Sequence, residues 1–325
     1  MNKKSILTLI GLLVFTLSYG QDKQKYSELV SKAWKLYESK AYLQSGQKYS
    51  EAFVALGNKG MADDRYNAAC SWALASRPDS AFSQLFKIAR KGNYTNYSHI
   101  TTDTDLNSLH ADKRWQQVIA VVKSNKEKEE ANFDKPLVAA LDTIYQEDQK
   151  YRQQLQGIAE KQGWESEQTQ NLMKIIMEKD SVNLIKVKKI LDERGWLGPD
   201  VIGRQGNQTL FLVIQHADQK TQEKYLPMMR EAVRKGDASA SSLALLEDRV
   251  ALGQGKKQTY GSQIGRDPET GAYYVLPLED PDNVDKRRAA VGLGNLQEYV
   301  SNWGMTWDAE AYKKKLPEIE AKQKK

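Results

Sequence analysis

The chain has 325 residues, of which 28% are charged, with 48 Lys and Arg against 42 Asp and Glu and a formal net charge of +6. That length suggests about two domains, and a mild basic excess beside nearly as many acids argues against a nucleic-acid footprint, which needs clustering on one face. Cys70 is the only cysteine, so no intramolecular disulfide can form and stability has to come from packed helices.

Lys3 and Lys4 precede an apolar stretch from Ile6 to Leu17, and in Ser18-Tyr19-Gly20 the small residues Ser18 and Gly20 then occupy the −3 and −1 positions of a cleavage site. This pattern predicts a secretory signal peptide over residues 1–20, a mature chain beginning near Gln21, and a periplasmic or secreted destination. The apolar run is shorter than the roughly 20 residues a spanning helix needs, so no stable membrane span is expected after cleavage. Loss of the leader removes two lysines and no acid, leaving a net charge of +4.

Residues 21–122 read as helical and repetitive. Trp34, Leu36, Tyr37, Ala41 and Tyr42 make one apolar face, and Tyr49, Ala52, Phe53 and Leu56 make that of a second helix ending at Gly57 and Asn58. About 32 residues later the layout recurs, a period expected of helix-turn-helix solenoids. Tyr66, Ala69, Cys70 and Ala73 precede a turn at Arg77, Pro78 and Asp79, and Ala81, Phe82, Leu85, Phe86 and Ala89 follow before Gly92. The two units resemble tetratricopeptide repeats, with Ala69, Ala73, Ala81 and Phe82 where that family uses small and aromatic packing residues. The segment from Asp103 to Leu109, followed by Asp112 to Ile119, is similar to the capping tail of a repeat variant in secreted and periplasmic bacterial proteins. His99 and His110, in the polar connection to this tail, lack neighbours at metal-ligand spacing and read as solvated loop residues.

The mixed-charge run from Lys123 to Glu130, closed by Pro136, is expected to be a surface connection over residues 123–136, with a continuous bridging helix as the alternative. Residues 137–325 then form a second, α-rich domain. Leu137, Leu141, Ile144 and Tyr145, then Tyr151, Leu155 and Ile158, and later Leu172, Ile175, Ile176, Val182, Leu184 and Ile185 followed by Val187, Ile190 and Leu191, carry helical patterns, and a tight loop is expected from Gly195 to Gly203. Thr209 to Ala217 reads as a fully buried helix, Tyr225 to Val233 and Ser239 to Leu252 as two more. Gln258 to Ile264 and Ala272 to Pro277 predict a small β-hairpin, and Glu279 to Asp282 is expected to cap a helix that carries Val284, Ala289, Ala290 and Val291 and ends at Gly292. The fold class is therefore mostly α: a short tetratricopeptide-like solenoid plus an α-rich second domain with one small β-hairpin.

Several polar clusters abut these apolar segments: Gln215, His216 and Asp218; Asp248 and Arg249; Gln258 to Gln263; and Asp285 to Arg288. Polar groups drawn toward a core have to find partners there or cost about 1–3 kcal/mol each, so they partner one another or a ligand. Their order, with Gly195, Trp196 and Gly203 before and Val291, Gly292 and Leu293 after, resembles an uncharacterised bacterial domain family over approximately Leu141 to Val300. The resemblance implies a domain and no chemistry.

His216 is a candidate general acid or base, oriented by Asp248 or Asp218, with Tyr260, Gln263 or Arg249 placed to stabilise negative charge. Against this stands a structural network in which His216 caps a helix and Asp248 and Arg249 form ion pairs. Gln215, Asp218, Arg249, Tyr260, Gln263 and Arg288 are the candidate ligand-binding residues, and of Arg287 and Arg288, adjacent on a helix, one is expected to face a site. One His and no Cys in this domain argue against a zinc site, and the Gly253 to Lys257 stretch lacks phosphate-loop spacing, so neither metal nor cofactor is expected. The function read from these residues is an interaction protein whose repeat groove binds a peptide or protein while the second domain recognises an unknown ligand. The competing reading is a hydrolase-like enzyme centred on His216.

Overall fold

A computed structural model describes residues 22–323, which fold as two compact units dividing between Ala131 and Asn132. The expected leader lies outside the described residues. No described helix is long and apolar enough to cross a membrane.

The first unit opens with α1 (22–38) and α2 (Tyr42–Ala55), followed by α3 (Ala62–Leu74), α4 (Pro78–Lys91), the short α5 (Tyr97–Thr102) and α6 (Lys113–Glu129). Pro78 sits in the first turn of α4, where its missing N–H costs nothing. Ala68, Ala69, Ala73, Ala81 and Ala89 are all buried, and such small side chains let neighbouring helices approach closely around Phe82, Leu85 and Ile88. The segment 100–118 closes this core with Ile100, Leu106, Leu109, Trp115 and Val118. Its polar side is fastened by tyrosines: Tyr66 donates to Asp103 at 2.9 Å, and Tyr37 donates to Asp105. His99 belongs to α5 rather than to a loop, and its ring stacks on Tyr66 at 4.7 Å.

The charged run is helical where a surface connection was expected. It forms the last turns of α6 as far as Glu129, then a 3-10 turn spans Glu130–Asn132. Lys and Glu are good helix formers, and i,i+4 pairs such as Lys126 with Glu130 favour continuation.

The second unit begins with two helices of 28 residues each, α7 (Lys135–Gln162) and α8 (Glu167–Arg194), capped at their N-termini by Asp134 and Ser166. They are followed by α9 (Pro199–His216), α10 (Gln219–Lys235) and α11 (Ala240–Gly253). The stretch expected as a tight loop is largely the start of α9. Pro199 opens that helix, and Gly203 interrupts it with φ 69°, a conformation only glycine adopts without strain. Helix α10 also starts earlier than its apolar pattern, because Asp218 accepts the N–H of Thr221 and so caps it. Leu141, Ile144, Val187, Leu191, Leu210 and Ile214 are almost fully buried between α7, α8 and α9, each worth about 1.5–3 kcal/mol relative to exposure.

The hairpin is smaller than the sequence pattern. Strands β1 (Ile264–Arg266) and β2 (Tyr273–Val275) pair antiparallel with Ile264 opposite Val275, and Gln258 bridges to Leu278. They pack with α12 (Val284–Ala290), α13 (Leu296–Ser301) and α14 (Ala309–Gln323) around Leu278, Val284, Leu296 and Val300.

Candidate functional site

The site grows from a carboxylate at a core position. Asp148 lies on the α7 face that carries Leu141 and Ile144, and it is 2% exposed. A buried carboxylate has to be paired or coordinated. On α9, the Thr209 hydroxyl donates to Gln205 O of its own helix at 2.8 Å and lies 3.5 Å from the Leu141 carbonyl of α7, and His216 follows Thr209 by the same number of residues as Asp148 follows Leu141. Helices α7 and α9 therefore run in the same direction with matched spacing, and His216 Nδ1 meets Asp148 Oδ1 at 3.0 Å.

Two further α7 residues complete the surroundings of Asp148. Gln149 Nε2 donates to Oδ2 at 2.6 Å, and Arg152 Nε, one turn on, lies 3.5 Å from the same oxygen. Arg152 Nη2 reaches across to α8 and donates to both oxygens of Asp180, at 2.5 and 2.6 Å. Burial pushes the Asp148 carboxyl up, but the bond and charge of His216, the charge of Arg152 and the Gln149 amide outweigh it, and the net displacement is downward.

The cluster is incompletely satisfied. Asn183 on α8 is fully buried, and neither its amide oxygen nor its amide nitrogen has a hydrogen-bond partner. The same holds for Arg152 Nε and for Gln215 Oε1. The Gln215 backbone carbonyl, by contrast, accepts from Gln222 Nε2 at 3.0 Å.

Asp248 does not partner His216. It is fully buried near the end of α11 and accepts the backbone N–H groups of Thr259 at 2.7 Å, Tyr260 at 2.9 Å and Ser262 at 2.9 Å. Burial pushes its carboxyl up and these donors pull against that shift. The loop it holds turns at Gly261, where φ is 67° and a Cβ would stand 3.2 Å from Leu296. Gln258 stitches the loop from within: its Nε2 donates to the carbonyls of Gln263 and Leu276, and its Oε1 accepts from Gln263 N.

Arg287 and Arg288 both face this loop, because its consecutive carbonyls reach both directions of a short helix. Arg287 Nε donates to Thr259 O at 2.9 Å, while Arg288, 2% exposed, donates to Tyr260 O at 2.7 Å and to Gly294 O at 2.6 Å. The Gln263 side chain bonds Ser262 Oγ. Asp218 is the α10 cap, its carboxyl lowered by the Thr221 N–H. Arg249 is exposed but crowded by neighbouring chain, which lowers its guanidinium with help from the charge of Arg152, while Tyr299 opposes. Tyr260 is partly buried, which raises its phenol, with Glu247 and Asp248 adding to the shift. Asp248, Tyr260, Gln263 and Arg288 thus meet in a loop anchor, and His216 meets a different set.

The family of unknown function DUF6624 matches residues 136–315. The chain belongs to this family. No curated protein and no solved structure matches it. The DUF6624 match begins in α7 and ends in α14, so it contains both the loop anchor and the His216 cluster, and it extends past both ends of the stretch recognised from polar motifs.

Asp148, Arg152, Asp180 and Asn183 of the DUF6624 unit were not among the sequence candidates. The available signal was a polar residue at core register: Asp148 follows Leu141 and Ile144 at helical spacing, and Asn183 precedes Val187 by one turn. Three donor atoms from Asp148, Asp180 and His216 lie within 4.8 Å of one another, a grouping able to hold a metal ion. Cys70, Asp103 and Asp105 of the first unit form a second such group, but tyrosine hydroxyls already occupy both carboxylates there and burial pushes the Cys70 thiol up, keeping it protonated.

Proposed function

We propose that the protein is an exported, periplasmic or secreted interaction protein, in which tetratricopeptide-like helices hold a peptide or protein segment and the DUF6624 unit recognises a ligand. The observation that carries this reading is a groove of about 640 Å³ on the first unit, between α1, α2 and α3. Leu29, Val54 and Trp72 give it an apolar lining, and Lys25, Gln47 and Glu51 supply polar groups of both signs. Val54 is 69% exposed, an apolar side chain left open on a helix whose opposite face is core. Such a surface fits a segment with an apolar face and polar edges, the mode by which helical grooves bind peptides.

The hydrolase reading loses the two carboxylates expected beside His216, since Asp248 is taken up by three backbone N–H groups and Asp218 caps α10, and it would have to rest on Asp148 instead. The DUF6624 unit enters this proposal as a recognition unit.

Peptides selected from a random library against the full mature chain, with binding read by fluorescence anisotropy, test the groove. Binding should weaken about tenfold or more in Val54→Glu and Trp72→Ala, as expected for loss of central apolar contacts. Selected peptides indifferent to both substitutions would remove the groove from the proposal. N-terminal sequencing of the exported chain tests the destination, with Gln21 expected first; an intact leader on an unexported chain would overturn it.

A further inference from the structure

We propose that Asp148, Asp180 and His216 bind one first-row divalent metal ion, with the Asn183 amide oxygen as a further ligand. This rests on the DUF6624 unit being a recognition unit and gives its ligand a chemical class.

The three side chains come from α7, α8 and α9, and their donor atoms already lie within 4.8 Å of one another. Asn183 supplies the independent observation. The pairing of Arg152 with Asp180, and of Glu147 with both Lys179 and Lys186, sets α8 antiparallel to α7 with Asn183 level with Asp148. Asn183 lies on the face of α8 that holds Ile176 and Val187 in the core. Its amide is fully buried at the level of the cluster, with both polar atoms unpartnered. A buried carboxamide in this state costs stability unless a water or an ion completes it.

Arg152 occupies the position of the cation. Its guanidinium bridges the two carboxylates, yet its Nε is buried without a hydrogen bond, so it neutralises the site without filling it. The side chain is 23% exposed and has a route outward. A metal ion would take the two carboxylates while Arg152 moves to solvent. An imidazole beside carboxylates selects a first-row ion such as zinc or manganese over magnesium or calcium, which prefer oxygen donors throughout.

Calorimetric titration of the chelator-treated full chain with zinc chloride tests this. One equivalent should bind, and affinity should fall about a hundredfold in His216→Ala and in Asp180→Asn, as for removal of a ligand. Arg152→Gln should instead bind about tenfold more tightly, because it removes a competing positive charge a few ångströms away. A purely structural ion-pair network gives the opposite, a lower melting temperature in Arg152→Gln with no zinc uptake, and that result overturns the inference. So does zinc binding that survives both His216→Ala and Asp180→Asn. Should the variants unfold, the wild-type chain loaded with manganese decides: an imidazole nitrogen coupling in its electron-nuclear double resonance spectrum is expected, and its absence is disproof. Peptide binding by the first unit, measured on the same samples, separates failure of the metal site from failure of the interaction reading.

Discussion

Asp248 and Asp148 are both buried carboxylates on helices of the second unit, yet their charges are met in different ways. Asp248 is surrounded by backbone N–H donors from one loop, fixed in place by Arg287 and Arg288 on that loop's carbonyls. Every partner is part of the chain's own framework. Asp148 is met by side chains from separate helices, His216 and Arg152, which are 21% and 23% exposed, beside an Asn183 that bonds nothing. The difference teaches that burial of a charge does not mark a site. What distinguishes the two is whether the surrounding polar groups are all satisfied.

The largest effect expected from this contrast is on the loop anchor. Asp248→Asn turns an acceptor-only group into one that presents N–H to N–H, and should cost about 3–5 kcal/mol in urea unfolding. Amide exchange at Thr259, Tyr260 and Ser262 should accelerate with it. A loss below about 1 kcal/mol would mean that the carboxylate is not what holds the loop. Arg288→Lys comes next, at about 2 kcal/mol, since one ammonium cannot reach both Tyr260 O and Gly294 O in the fork geometry of a guanidinium. Equal stability of Lys and Arg at this position would remove the distinction.

Asp148→Asn should cost about 1–3 kcal/mol, less than Asp248→Asn, because water reaches the edge of its partners. Its signature is in acid. The folded carboxyl lies below its ordinary value, so the unfolded chain takes up the proton first. The stabilisation is present above pH about 4 and disappears as pH falls through the folded value. Wild type should therefore lose more stability between about pH 4 and pH 2 than Asp148→Asn does, and parallel curves would refute the assigned pairing. The smallest effect is expected at Val54→Glu, within about 0.5 kcal/mol of wild type, because the side chain is exposed.

The loop anchor was legible as a set of residues but not as a structure. Gln258, Asp248 and Arg288 stand out as polar residues among apolar neighbours, while the choice of backbone groups as partners depends on a turn at Gly261 that no periodicity reveals. The metal-capable cluster was less legible still. Asp148, Asp180 and His216 lie in separate segments with no ligand motif, and only the spacing of α7, α8 and α9 gathers them. Of Arg287 and Arg288 only one was expected to face a given site, but consecutive carbonyls of one loop receive both.

The sequence by itself determined the helical class and a small hairpin, because apolar spacing, capping residues and turn residues act over one or two turns of chain, and the order of its polar motifs carried the resemblance to the family of unknown function. It also picked out which polar residues had to be explained. Only the tertiary structure decided their partners: Asp148 rather than Asp248 for His216, backbone rather than ligand for Asp248. Hydrogen bonds extend about 3 Å and depend on direction, so a pairing between helices follows from their register and packing, which local pattern does not encode.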